Sequence, residues 1–197
     1  MPNQIDIICD QIITRLTNEL DKKLIYHNLE HTLDVMKQAA IIAKAEGLAR
    51  GHITDLLKIA AAYHDSGFLY TYKNHEERSC EIFKTEAAGK LSDSDIELVC
   101  GMIMATKIPQ SPKTLFEQIL CDSDLDYLGR DDFEPISKNL YIEFLDFGIL
   151  NKEVNWNKVQ IGFFESHRYF TQSSQKRRNK KKQENFLTIK PESSGPA

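Results

Sequence analysis

The sequence predicts an all-α protein of eight or nine helices joined by short connections. Three observations carry that expectation. Apolar residues recur at helical spacing along almost the whole chain, no segment alternates with a period of two for long, and capping residues and glycines punctuate the stripes. Ile5, Ile8, Ile12, Leu16 and Leu20 form the first stripe, and Val35, Ala39 and Ile42 the second, which ends near Gly47. Leu56, Ala60 and Tyr63 carry a third, closed by Gly67, and a fourth helix is expected from Glu76 to Ala87 before Gly89. Ser92 and Asp95 read as a helix start for Ile96, Val99 and Ile103. Pro109 and Pro112 break the chain after it, and the stretch from Ile103 to Pro109 is the one place where a short extended piece is tolerable. Leu115, Ile119 and Leu120 begin the next helix, which stops near Gly129. Asp131 and Asp132 are candidate caps for a helix with Phe133, Ile136, Leu140 and Phe144 on its inner face, and Trp156, Val159, Phe163 and Phe170 make the last strong stripe.

Residues 1–174 are expected to form a single helical domain, which is long enough to bury a sizeable core. Residues 175–197 are expected to be a basic, partly disordered C-terminal tail: six of the seven residues from Lys176 to Lys182 are basic. That run reads either as a solvated last turn or as a cationic patch facing a phosphate-bearing substrate or nucleic acid. The net charge of −4 argues against a dedicated nucleic-acid binder. The four cysteines form no CxxC pair, which fits a reducing compartment and small core residues. The N-terminus carries charges inside its apolar stretch, unlike a signal peptide, and no run reaches the roughly 18 apolar residues of a membrane span. The expectation is a cytoplasmic protein with no membrane partner; oligomeric state is open.

Histidine is scarce, with six in the chain, and three of them sit in short polar clusters beside acidic residues. In the first cluster, Tyr26-His27-Asn28-Leu29-Glu30-His31, the two histidines are spaced i, i+4. They share a helix face if the helix includes His27. A helix start at Asn28 would instead put His27 just before the helix, looking into the same cavity. The second cluster is His64-Asp65-Ser66-Gly67, at the end of an Ala-rich apolar helix. Adjacent side chains on a helix point about 100° apart, so both reach one ion only near a helix end or between packed helices. The third is Asp122-Ser123-Asp124-Leu125-Asp126, in which Asp124 is in phase with Leu120 and Leu128. A carboxylate on a buried stripe is costly unless a cation compensates it. Two imidazoles and two carboxylates drawn from these clusters would make a mixed N/O site for a divalent ion such as Mn, Fe, Co, Ni, Zn or Mg.

His31, then His64-Asp65, then Asp124 resembles the H…HD…D signature of the HD superfamily of metal-dependent phosphohydrolases. Tyr26-His27-Asn28-x-x-His31-x-x-Asp34-Val35 also resembles the YHNxxHxxDV segment of the distantly related cyclic-nucleotide phosphodiesterases. The resemblance implies an HD-domain, phosphodiesterase-like helical bundle. It implies that His31, His64, Asp65 and Asp124 are metal ligands, with Asp124 preferred to Asp122 because Ser123 fills the small-residue slot before the ligand. It implies hydrolysis of a phosphate ester, a mono- or cyclic nucleotide, by metal-activated water, with His27 protonating the leaving oxygen. His75 falls where two-metal relatives carry another histidine, as a second-metal or substrate residue; its alternative is a surface residue or helix cap. Some relatives place Glu, His or Lys three residues after the Asp, where this chain has Phe68. His27 or Lys107 would then supply the missing function, Lys107 by reaching a substrate phosphate or else lying solvated before a loop. Phe68 also motivates an alternative, a non-catalytic nucleotide-sensing domain. A di-iron oxygenase is a further class on this scaffold, and it would need additional histidine ligands. His52 and His167 are read as structural, and Asp34 and Asp126 as orienting ligands from behind or as surface and capping residues.

Overall fold

A computed structural model describes residues 3–190. Within them the chain forms α1 (Gln4–Glu19), α2 (Leu29–Ala45), α3 (His52–Tyr63), α4 (His75–Ala87), α5 (Asp93–Ala105), α6 (Leu115–Asp124), α7 (Phe133–Asp146), α8 (Trp156–Ser166) and α9 (Gln172–Ile189). Two short 3₁₀ turns, Ser66–Leu69 and Asp126–Gly129, follow α3 and α6, and the described residues contain no strand. The all-α expectation holds. Helix α5 runs on to Ala105, so the tolerated extended piece does not form.

Helix α3 is the axis of the larger core. It packs against α1, α2, α5 and α6, and Leu56, Leu57 and Ile59 to Tyr63 are all buried. A helix that is apolar on every side has to be surrounded, and Ala60, Ala61 and Ala62 keep its surface low enough for close neighbours on each flank. Its one long cation, Lys58, escapes to Asp6 at 2.7 Å. Capping follows the sequence where the cap residue is free. Asn3, Asn28, Ser92, Thr114, Asn155 and Thr171 each accept a backbone N–H of the first turn. Asp132 caps nothing, because its carboxylate is taken by Arg130.

A second, smaller cluster joins Tyr26, Leu125, Tyr127, Leu128, Phe133, Phe164 and Ile189 beneath α7, α8 and α9. Helix α9 corrects the expected tail. Residues 175–189 are helical and clamped onto the Asp126–Gly129 turn, while the final PESSGPA lies outside the described residues. The basic run is not a uniform solvated face. Arg177 Nη2 meets Asp126 Oδ1 at 2.6 Å, and Arg178 binds both oxygens of the same carboxylate at 2.8 and 2.7 Å. Lys182 donates to the carbonyls of Phe164 and His167, leaving Lys176 and Lys180 exposed. Asn185 closes the contact by donating to the carbonyls of Leu128 and Arg130. Gly129 is required here, since a Cβ on it would lie 2.6 Å from Arg178 Cβ. Asp126 is 1% exposed and about 50 positions from its partners in sequence, which is why a local reading left the roles of both segments open.

Two stability predictions follow from this packing. Asp126→Ala leaves two guanidinium groups without their partner and should cost about 2–3 kcal/mol in chemical denaturation, less than a fully buried pair because both arginines keep contact with water. His167 is the second case. Burial, helped by the nearby Lys182 charge, pushes its imidazole down from 6.5 to about 3. Between those values the unfolded chain binds a proton that the folded chain does not, so stability falls on acidification through that window. His167→Phe, which keeps the ring between Phe163 and Tyr169, should show a shallower fall in Tm from pH 6.5 to 3 than the parent.

Candidate metal centre

The seam between the two apolar clusters holds the polar residues. Helix α2 starts at Asn28, whose side chain accepts the His31 N–H at 3.0 Å. Of the two alternatives for the first histidine pair, His31 therefore sits in the first turn and His27 lies just before the helix. His64 caps the C-terminus of α3, fully buried, and its Nδ1–H donates to the Ala61 carbonyl at 2.9 Å, which leaves Nε2 as the coordinating nitrogen. The chain then turns into Ser66–Leu69, so Asp65 is no longer bound by regular helical geometry and swings to the same side as His64. Gly67 makes this possible: a Cβ there would lie 2.0 Å from the His75 carbonyl oxygen. Ser79 locks α4 to the turn, accepting from Gly67 N–H and donating to His64 O, both at 2.8 Å. Asp124 is the last residue of α6.

These elements bring together the four residues expected from the sequence. His31 Nε2 lies 3.4 Å from His64 Nε2, 3.4 Å from Asp65 Oδ2 and 3.2 Å from Asp124 Oδ1. His64 Nε2 lies 3.2 Å from Asp65 Oδ2 and 3.7 Å from Asp124 Oδ1. Ligands about 2.1 Å from a shared ion sit about 3.0–3.4 Å from their neighbours, and the separations among His31, His64 and Asp65 fall in that range, as does His31–Asp124, while His64–Asp124 is longer. His31, His64 and Asp65 form the mutually close set, and Asp124 adjoins it through both imidazoles. Asp65 Oδ2 is buried with no hydrogen-bond partner, the orphan expected of a ligand atom. The donors thus fit a divalent cation. The field is consistent with that. Burial alone would lower the His31 imidazole, but the Asp124 and Asp65 carboxylates outweigh it and hold it at about 9. Burial alone would raise Asp124, yet the two imidazoles hold it at about 2.

The other members of the third cluster are engaged elsewhere. Asp122 accepts from the backbone N–H groups of Phe170 and Thr171 and from the Thr171 hydroxyl, at 2.7–2.8 Å, so both its oxygens are committed to docking the start of α9. Asp126 binds the two arginines described above, and Asp34 pairs with Arg130. His52 is a surface residue facing Asp95 at 2.7 Å.

His75 reaches the centre directly and His27 lines the adjoining cavity, and both pack on Phe68. Its ring stacks on the two imidazoles, with centroids 4.3 and 4.0 Å away. His75 Nε2 lies 3.5 Å from Asp65 Oδ1 and 3.5 Å from Glu76 Oε1. Lys107 is a correction. Its ammonium pairs with Glu77 and lies 3.2 Å from Asn74 Oδ1, and the cavity beside the centre is lined by its neighbours Thr106 and Ile108 rather than by Lys107 itself. Lys107 is thus engaged with α4, away from the cavity.

The sequence reading missed Glu143. This fully buried carboxylate of α7 accepts from His27 Nδ1, from the backbone N–H groups of Tyr26 and His27 at 2.8 and 3.0 Å, and from the Tyr72 hydroxyl at 2.8 Å. Burial would raise its pKa, and His27 with these donors brings it below the ordinary value. The signal was present: Glu143 lies three residues after Leu140 on the inner stripe, the same apolar phase that singled out Asp124. A cavity of about 340 Å³ opens beside the centre, reached by Asp65, Asp124, His27 and His75 and walled by α7 and α8.

Asp124→Ala should lower divalent-metal affinity at least about 100-fold by calorimetry, more than the loss of a residue that only orients a ligand. Asp122→Ala should instead lower Tm and leave metal content unchanged in elemental analysis.

A family model for the HD domain matches residues 28–126, from the cap of α2 to the start of the turn after α6. No curated protein sequence matches the chain. Its fold is similar to that of a Lactobacillus plantarum protein solved by crystallography, with a TM-score of 0.64 and 14% identity over 93% of this chain and 92% of that one. No helix among the described residues is long and apolar enough to cross a membrane. The matched span holds all four clustered side chains between its ends, and the chain belongs to the HD-domain family, whose members are generally metal-dependent phosphohydrolases.

Proposed function

We propose that the protein hydrolyses a phosphate ester, with mono- and cyclic nucleotides as the class to test, at the centre formed by His31, His64, Asp65 and Asp124. The observation that carries this reading is the unpartnered Asp65 Oδ2 among two imidazoles at ligand spacing, opening on a cavity that an anchored histidine also faces. A divalent cation held by these four residues supplies charge neutralisation at the phosphoryl group and a more acidic water.

The rest falls to the chain itself. His31 and His64 present Nε2 and the two aspartates present carboxylate oxygens, so the charge of the centre stays balanced in a buried site. Glu143 fixes the His27 ring through Nδ1 and leaves Nε2 as its second proton site. From the cavity wall, that nitrogen gives a proton to the leaving alcohol oxygen. Phe68 provides a flat support for His27 and His75 in place of a polar group.

With Mn or Ni supplied, the purified protein should turn over at least one mono- or cyclic nucleotide. No turnover, with the metal shown to be bound and the nucleotide bound tightly, would favour the sensing alternative. His27→Gln should lower kcat about 10²–10⁴-fold at unchanged metal content. Glu143→Gln should lower kcat by a smaller factor and move its pH profile, since it acts through the His27 ring.

A further inference from the structure

Electrostatics and shape beside the centre restrict the substrate further, and this step rests on the phosphohydrolase reading above. The cavity next to Asp65 and Asp124 has no lysine or arginine in its lining. It does have carboxylates: Asp65, Asp124 and the buried Glu76. Four cations of the surrounding elements are engaged elsewhere. Lys107 pairs with Glu77, Arg130 with Asp34 and Asp132, and Arg177 and Arg178 with Asp126. A second or third phosphate would enter an acidic chamber without a partner, a costly placement. The metal centre can compensate one phosphoryl group.

The far walls have the opposite character. Leu140 and Phe144 of α7 and Trp156, Val159 and Phe163 of α8 face the cavity, and none of these five is fully buried, because they line space instead of filling it. Hydroxyl-rich groups placed there would lose water and find few partners, whereas an apolar ring would gain. A volume of about 340 Å³ suits one compact ring system with its linker and no long chain.

We propose that the substrate carries a single phosphoryl group on a compact, predominantly apolar and uncharged alcohol portion, which sits against Leu140, Phe144 and Trp156. Nucleoside di- and triphosphates and phosphates of free sugars are excluded.

The test compares two esters of primary alcohols that differ in hydroxyl content around a six-membered ring, so that leaving-group chemistry is similar. With the metal-loaded protein, cyclohexylmethyl phosphate should show kcat/KM at least about ten-fold above glucose 6-phosphate. ATP and ADP should be poorer still than AMP. Trp156 is the only tryptophan of the chain, so its emission reports occupancy without turnover. Cyclohexylmethanol should shift that emission saturably, and glucose should not. Leu140→Asp should cut turnover of cyclohexylmethyl phosphate about ten-fold, and an unaltered circular dichroism spectrum secures the fold.

Glucose 6-phosphate or ATP turned over as well as cyclohexylmethyl phosphate would overturn the proposal. So would a Trp156 emission indifferent to cyclohexylmethanol. If no ester is hydrolysed although metal is bound, the phosphohydrolase reading fails by itself, and the Trp156 titration still decides what the cavity accepts.

Discussion

Everything in this fold answers to one electrostatic constraint: two carboxylates and two imidazoles converge at the seam between apolar clusters, with adjacent ligand atoms no more than 3.7 Å apart. Bringing such groups out of water is costly unless their charges cancel locally. They also have to be delivered from three places far apart in sequence, so the scaffold must be stiff. Helix α3 meets that demand by being apolar on all sides, and it carries His64 to the seam. Gly67 then lets the backbone turn so that the adjacent aspartate reaches the same point. The cap at Asn28 and the C-terminus of α6 deliver the other two. Helix ends serve well here, because the chain leaves helical geometry just where two side chains have to converge.

Much of this was readable before any coordinates. His64-Asp65 sits at the close of an Ala-rich stripe, and Asp124 falls in phase with Leu120 and Leu128; both are local patterns. The choice between Asp122 and Asp124 was open on phase and spacing; Asp122 is engaged by the backbone at the start of α9, whereas Asp124 lies beside both imidazoles. The position of His27 relative to α2 was likewise open until the Asn28 cap was placed.

What could not be read depends on partners distant in sequence. The run from Lys176 to Lys182 looked like solvated tail because Asp126, its counter-charge, lies about 50 positions away. Lys107 looked free because Glu77 is 30 positions away on α4. Glu143 differs from these. The apolar pattern around it held the clue, but a single acid in a helix otherwise read as core drew no attention. The α7 stripe was read as an inner face and the α8 stripe as running on to Phe170, past its end at Ser166, yet a stripe that packs a core and one that walls a cavity are identical in periodicity.

Helix α7 buries little of itself: Phe133, Ser137 and Glu143 are its only fully buried side chains. Near its C-terminal end, the attachment to the α2 entry is the Glu143 carboxylate with its four donors. The wall of the chamber and the proton-bearing imidazole therefore share one fastening. A change that loosens α7 at Glu143 therefore disturbs the cavity wall and the His27 ring together.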